Sequence, residues 1–231
     1  MRVLLVACLL LFLATIARLG GPPLTPDSAP APVSEAPASA GETALFSPGD
    51  LNILEGPDRD DWQQPEQVMD VLGISDGSRV ADIGAGGGWF TIRLAHRVGP
   101  NGVVYAEDIQ PLMIDAIRRR ISRDDVKNVV PVLGTASDPR LPAGLNAVLI
   151  VDTYPQFRDP VALMRNIRES LVPHGRLGIV DFTPDGSGGP GPPLAERIDP
   201  RQVIRDVTAA GFTFRSHETF LRYQYMLAFE K

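Results

Sequence analysis

The stretch VADIGAGGGWF, residues 80–90, carries the residue types of this chain that are best suited to holding a ligand. Asp82 ends a short apolar run, and glycines follow at positions 84, 86, 87 and 88. Glycines after a parallel strand let the chain turn sharply, let a ligand approach the main chain without interference from a Cβ atom, and let the next helix pack close to the sheet. The pattern therefore predicts a ligand-binding loop at the carboxyl end of a strand.

The spacing of these glycines distinguishes two classes of nucleotide cofactor. A dinucleotide fold uses Gly-x-Gly-x-x-Gly, but a motif that starts at Gly84 would need its third glycine where Trp89 stands. A motif that starts at Gly86 fails in the same way. The pattern that is present is acid-x-Gly-x-Gly-x-Gly, which runs from Asp82 to Gly88.

A second acidic residue follows at a distance that suits the same ligand. Asp108 ends the second predicted strand and lies 20 positions after Gly88, since 108 minus 88 is 20. A helix, a turn and a strand of about this length bring an acid beside the glycines of an open α/β sheet. Glu107 points to the opposite face if the strand is regular, so Asp108 is the acid expected at the ligand.

These motifs resemble those of the class I S-adenosylmethionine-dependent methyltransferases, over about residues 55–231. The segments ESLVPHGRLGIVDF and GFTFRSHETFLRYQYMLAFEK are similar to the fifth strand and the closing hairpin of that family, and RDDWQQPEQVMDVLGI is similar to a bacterial branch of uncharacterised small-molecule-type enzymes. The resemblance implies S-adenosyl-L-methionine as the cofactor and a carboxylate of Asp108 that accepts hydrogen bonds from both ribose hydroxyls. The cofactor-binding residues it implies are Asp82, Gly84, Ala85, Gly86, Gly88, Asp108, Ile109, Thr135, Ala136 and Asp152.

The chain departs from the family pattern at two positions. Thr135 stands where many relatives have an acid that holds the adenine amine, so adenine contact is expected from the main chain around Thr135 and Ala136. Pro155 and Gln156 stand where relatives in the similar branch often carry histidine. No catalytic residue is therefore assigned, and the candidates at the end of the fourth strand are Asp152 and Tyr154, in addition to a Gly/Pro-rich loop at 181–193.

Three functions stay open at this level. The first is methyl transfer to a small-molecule or lipid-like acceptor. The second is a non-catalytic domain that binds the cofactor, which the substitution at Thr135 and the missing histidine leave open. The third is an NAD-dependent oxidoreductase, which Trp89 and the lack of a Tyr-x-x-x-Lys pair disfavour.

Short β-branched runs alternate with helical segments and predict an α/β fold. We expect a Rossmann-like seven-stranded, mostly parallel sheet with helices on both faces and an antiparallel C-terminal hairpin. The predicted strands are 78–83, 103–108, 129–133, 146–152, 176–181, 212–217 and 223–230, and the predicted helices are 65–72, 89–98, 111–122, 160–171 and 200–210.

The N-terminal 48 residues differ in composition from the rest of the chain. Residues 1–19 hold an apolar run behind Met1 and Arg2 and predict a signal peptide or signal anchor. Residues 20–48 form a Pro/Ala-rich linker expected to be disordered, and residues 49–231 form the methyltransferase-like domain. The leader predicts a protein that is membrane-anchored or exported, with the side of the membrane left open, as is the oligomeric state.

Composition and net charge limit the classes of ligand that the domain is expected to bind. A net charge of −6 and a pI near 5.1 argue against nucleic acid, which is usually bound by a basic face. The single cysteine, Cys8, lies in the leader, so neither a metal site nor thiol chemistry is expected in the domain. His96, His174 and His217 are expected to be structural or surface residues, and Trp62 and Gln63 are candidates for a lid over the cofactor.

Overall fold

The computed structural model describes residues 56–185 and 189–231, and the predicted leader and linker lie outside this range. The helices are α1 Arg59–Gln63, α2 Pro65–Val71, α3 Trp89–Val98, α4 Pro111–Arg123, α5 Pro160–Ser170 and α6 Pro200–Ala209. The strands are β1 Arg79–Ile83, β2 Val103–Asp108, β3 Val129–Leu133, β4 Leu145–Val151, β5 Leu171–Phe182, β6 Thr213–Glu218 and β7 Gln224–Glu230. Short 3-10 turns lie at Tyr154–Gln156 and Leu194–Glu196.

The seven described strands form one sheet in the order β3-β2-β1-β4-β5-β7-β6. Strands β1 to β5 pair in parallel, and β7 lies antiparallel between β5 and β6. The chain moves outward in one direction from β1 to β3 and then crosses to β4 on the other side of β1. Ligands of open α/β sheets bind at such a switch point, beyond the carboxyl ends of the strands.

Local sequence explains where the helices begin. Four of the described helices, α2, α4, α5 and α6, have proline in the first turn, where its missing N–H is not needed. The side chains of Asp159 and Asp199 accept hydrogen bonds from the first backbone N–H groups of α5 and α6. These caps fix helix starts that apolar periodicity alone would leave uncertain.

Both faces of the sheet are covered. Apolar side chains of α2 and α3 pack on one face, and Ile114 and Ile117 of α4 extend that layer over Ala106. Side chains of α5 and α6 pack on the other face against alternate residues of β4, β5 and β7. The carboxyl ends of β1, β2 and β4 are level, because Ile83 pairs with Glu107 on one side and Ile150 on the other.

The predicted fold class is confirmed, with two local differences. Strand β5 begins at Leu171, directly after α5, whereas the sequence predicted a helix through 171 and a strand from 176. Helix α1 was not predicted at all. None of the helices in the described residues is long and apolar enough to cross a membrane.

Candidate active site

The glycine loop joins β1 to α3 in a conformation that only glycine adopts readily. Gly84, Gly86 and Gly88 have φ angles of 66°, 54° and 81°. A Cβ atom on Gly84 would also lie 2.8 Å from Cβ of Thr153, which follows β4. The alternating glycines of the motif are therefore the loop positions with left-handed backbone, and Ala85 between them donates its N–H to the Glu107 carbonyl at 2.9 Å.

Asp82 lies beneath this loop and is fully buried. Its Oδ2 accepts a hydrogen bond of 2.6 Å from the Thr91 hydroxyl on α3. Burial raises the pKa of Asp82 to about 6, although the Thr91 hydrogen bond works against that rise. Asp82 thus ties the end of β1 to the first turn of α3 and holds the loop between them.

Two carboxyl groups meet the loop from the end of β2. Asp108 Oδ2 accepts the Gly86 N–H at 3.0 Å, and Asp108 Oδ1 accepts the Gln110 N–H at 2.9 Å. Glu107 lies on the opposite face of the strand, as expected, where its Oε2 is 3.4 Å from the Gly84 nitrogen. Burial raises the pKa of Glu107 to about 8 and also raises that of Asp108.

Asp108 keeps capacity for a ligand in addition to these bonds. A carboxylate has about four lone-pair positions, and backbone N–H groups use only part of them. Ile109, which follows Asp108, is half-buried beside it. The arrangement leaves the carboxylate able to accept a further hydrogen bond from a ligand hydroxyl, such as one of a ribose.

The segment after β3 is organised as a turn of its own. The Thr135 N–H donates to the Asp138 carbonyl at 2.8 Å, and the Asp138 N–H donates to the Thr135 hydroxyl at 3.0 Å. Ala136 is exposed between them. The Ser137 carbonyl also accepts a hydrogen bond from Asn166 Nδ2 at 2.6 Å, so the predicted adenine contact in this turn falls on the exposed Ala136.

A buried polar network covers the end of β4. Asp152, with a φ of 56°, accepts hydrogen bonds from Gln63 Nε2 at 3.3 Å and from Gln224 Nε2, and Arg59 Nη2 lies 3.7 Å from its Oδ2. Gln63 Nε2 also donates to Gln224 Oε1 at 3.0 Å, and Gln63 Oε1 accepts from Arg59 Nε at 2.5 Å. Burial raises the pKa of Asp152 to about 6, with Arg59 opposing the rise. Helix α1 therefore seals this end of the sheet.

Tyr154, the second candidate catalytic residue after β4, points away from the Asp152 network. Tyr154 is 1% exposed, and its hydroxyl donates to Asp206 of α6 at 3.3 Å. Its ring packs edge-on against Phe157. Tyr154 is thus directed into the layer beneath α5 and α6 and not toward Asp152.

Three residues of this region were not singled out by the sequence as a site. Arg59 and Gln224 complete the Asp152 network, and Asp181 at the end of β5 is 1% exposed with an Oδ2 atom that has no hydrogen-bond partner. A polar residue in a strand that is otherwise aliphatic, as in GIVDF, was the available signal for Asp181. Nothing in the local sequence marked Arg59 or Gln224.

Aromatic side chains border the same region. Trp62 of α1 lies with its ring centroid 6.0 Å from Phe182 and 6.1 Å from Tyr223. Trp89 packs in the core, with the guanidinium carbons of Arg59 and Arg93 at 4.1 and 3.4 Å from its ring centroid. These contacts place Trp62 against Phe182 and Gln63 against Asp152, and a lid of Trp62 and Gln63 over the cofactor stays a prediction.

The histidines lie outside the network. His174 Nδ1 is 2.9 Å from Glu230, His217 packs edge-on to Tyr225, and His96 is an exposed residue of α3. In the described part of the chain, no three His, Cys, Asp or Glu residues are grouped in a way that could hold a metal ion. Two surface clefts of about 410 and 300 Å³ are lined by residues such as Gln67 and Arg93, and none of the carboxyl groups above lines either cleft.

Comparisons with known proteins agree with this geometry. Residues 80–175 match a family model described as a methyltransferase domain. The chain is 28% identical over 113 residues to a protein-L-isoaspartate O-methyltransferase of Methanothrix thermoacetophila, covering 48% of this chain and 51% of the relative. It is 30% identical over 122 residues to the nocamycin O-methyltransferase of Saccharothrix syringae, covering 52% and 44%. The chain thus spans about half the length of the curated relatives it matches.

Solved structures extend the likeness to the whole sheet. A SAM-dependent methyltransferase from Aquifex aeolicus superposes with a TM-score of 0.77 at 24% identity, covering 80% of this chain and 99% of that one. The loop, its carboxylates and the strand order are the features that an S-adenosylmethionine site requires, and the residues present fit that cofactor. In its motif, its matched domain and its fold, the chain is similar to the class I S-adenosylmethionine-dependent methyltransferases.

Proposed function

We propose that this domain transfers the methyl group of S-adenosylmethionine to a small-molecule or lipid-like acceptor. The observation that carries the proposal is the joint placement of the left-handed glycines and the Asp108 carboxylate at the switch point of the sheet. The name of the nocamycin O-methyltransferase supports a small acceptor, while the isoaspartate enzymes indicate that a carboxylate acceptor also occurs among relatives. The net charge of −6 supports an acceptor other than nucleic acid.

The roles of the chain's own residues follow from their contacts. Asp108 binds the nucleoside hydroxyls, the glycines of the loop at 84 and 86–88 let the ligand approach the main chain without Cβ atoms at those positions, and Asp82 fixes the loop through Thr91. Helix α1 excludes water from the end of β4. When bound, S-adenosylmethionine supplies an activated methyl group on a sulfonium, so the protein contributes mainly alignment of the reactants.

Calorimetric titration of Asp108→Ala tests the cofactor assignment. Hydrogen bonds to charged groups contribute about 1.5–3 kcal/mol each, so loss of the carboxylate is expected to weaken binding of S-adenosylmethionine and of its demethylated product by about 10- to 100-fold. The control is Asp115→Ala, an exposed residue of α4 that pairs with Arg118. That variant is expected to bind like the wild-type protein.

The same titration distinguishes the alternatives. Wild-type protein that binds NAD but binds neither S-adenosylmethionine nor its demethylated product would indicate an oxidoreductase. Protein that binds S-adenosylmethionine but forms no demethylated product with any nucleophile would be a non-catalytic binding domain. Binding together with acceptor-dependent product formation is the outcome that the proposal requires.

A further inference from the structure

Two buried carboxyl groups lie at the carboxyl ends of the neighbouring strands β4 and β5. The Asp152 N–H donates to the carbonyl of Val180 at 3.0 Å, which places Asp152 next to Asp181, the residue after Val180. The strand ends are where ligands meet an open parallel sheet. Asp152 and Asp181 are therefore at the edge where a methyl acceptor would approach.

The two carboxyl groups differ in their partners. Asp152 accepts hydrogen bonds from Gln63 and Gln224. Asp181 Oδ1 accepts the N–H of Phe182 at 2.8 Å, but its Oδ2 is buried without a partner among the described residues. A buried polar atom without a partner destabilises the folded state, and where it is retained it calls for a functional explanation.

The charged and titratable groups around the pair come from three parts of the chain. Arg59 of α1 faces Asp152, and Arg197 of the segment after β5 faces Asp181. Tyr225 of β7 is the neighbour of Asp181 across the sheet. Burial, together with the charge of Asp152, raises the pKa of Asp181 well above its ordinary value.

The surroundings also include an apolar wall. The ring centroid of Trp62 lies 6.0 Å from that of Phe182 and 6.1 Å from that of Tyr223, and Trp62 directly precedes Gln63 of the polar network. An acceptor that combines an apolar frame with one polar nucleophile would match both parts of this region. Gln63, whose amide N–H donates to Asp152, shows that the carboxylate accepts hydrogen bonds from such donors.

We propose that Asp181 and Asp152 together bind the O–H or N–H group of the methyl acceptor and take its proton during transfer. The inference rests on the proposed function. The bond that forms joins the methyl carbon to the acceptor oxygen or nitrogen, and the carbon–sulfur bond breaks with its electron pair left on sulfur. The acceptor proton passes to an ionised carboxylate of the pair, which becomes a neutral carboxyl group.

The test uses two probes of equal size, 4-methylphenol and 4-methylaniline, and two variants. Asp181→Leu removes the unpartnered oxygen, and Asp181→Asn keeps hydrogen bonding but cannot take a proton. Calorimetry measures probe binding to the complex with the demethylated cofactor, and product formation measures transfer. We expect Asp181→Leu to weaken binding of the preferred probe by about 10-fold or more, and both variants to lose about 100-fold or more in transfer rate.

A purely structural role of Asp181 predicts different results for the Asp181→Leu variant. Removing an unpartnered buried oxygen would then raise the melting temperature of Asp181→Leu and leave probe binding and transfer unchanged, and this result would overturn the inference. The control is Asp206→Asn, a half-buried residue that accepts from Tyr154 and is expected to change neither readout. Wild-type protein that binds the cofactor yet neither binds nor methylates a probe also overturns the acceptor assignment. Loss of cofactor binding itself would instead refute the proposed function.

Discussion

Gly84 is constrained both by its own backbone and by a neighbouring strand end. Its φ of 66° is unfavourable for residues with a Cβ atom, and Thr153 occupies the space where that atom would lie. We expect Gly84→Ala to lower the free energy of unfolding by about 2–5 kcal/mol, the sum of backbone strain and overpacking. Urea unfolding of the purified domain measures the change.

The variant Gly77→Ala separates the cost of backbone strain from the cost of overpacking. Gly77 has a φ of 82°, but nothing lies within 4 Å of the Cβ position. Alanine there is expected to cost only the backbone strain, about 1–2 kcal/mol. Equal losses for the two variants would show that Thr153 yields without cost, contrary to the expectation.

The sequence predicted part of this residue-scale detail. Alternation of glycine after Asp82 indicated the loop, and regular strand geometry indicated that Asp108 and Glu107 occupy opposite faces. The contact between Gly84 and Thr153 was not predictable, because 69 residues separate them and only the pairing of β1 with β4 brings them together. The unpartnered oxygen of Asp181 likewise depends on burial by the assembled sheet.

At the level of elements, helix α1 depends on tertiary contacts. Five residues are too few for a stable helix in water, and its first turn carries Asp60 and Asp61 with no side-chain cap. Gln63 holds the helix by contacts with Arg59, Asp152 and Gln224. This explains why the sequence did not predict α1, whereas the helices with proline in the first turn were predicted within one or two residues.

Gln63→Ala tests this dependence. The change removes a buried partner from three polar groups, so we expect the free energy of unfolding to fall by about 1–3 kcal/mol. Hydrogen exchange should become faster in α1 and stay unchanged in α3. Gln67→Ala, at an exposed position of α2, is the control. A loss no larger than in the control would mean that the amide network does not hold α1 in place.

The start of β5 is a second feature that the local sequence does not predict. The segment LVPHG contains proline and glycine, and so it reads as a turn between the predicted helix and a strand that starts at Arg176. In the fold Leu171 pairs with Leu145, and the register then shifts before Arg176 pairs with Ala147. A bulge of this kind is set by the neighbouring strand, and a single strand's sequence does not reveal it.

For the molecule as a whole, the site concentrates carboxyl groups in a buried layer. Five carboxyl groups among the described residues have raised pKa values, and burial is the largest cause in each: Asp82, Glu107, Asp108, Asp152 and Asp181. A cationic ligand would lower this electrostatic cost. The arrangement therefore favours the positively charged sulfonium form of the cofactor over a neutral one.

The same layer predicts how stability depends on pH. A carboxyl group whose pKa is raised by folding holds its proton in the native state after the unfolded chain has lost it, so the free energy of unfolding falls as pH rises between the two pKa values. For Glu107 this interval runs from 4.5 to about 8, and the fall is on the order of 4 kcal/mol.

Below this interval the free energy of unfolding falls as the pH falls. Arg215 and His174 lower the pKa of Glu230 to about 2, so the stabilising charge of Glu230 is lost on acidification. We therefore expect maximal stability near pH 4, measured by urea unfolding from pH 3 to 8 without ligand. Glu107→Gln should flatten the decline up to pH 8, and a wild-type profile that rises from pH 5 to 8 would show that these carboxyl groups are ionised in the native protein.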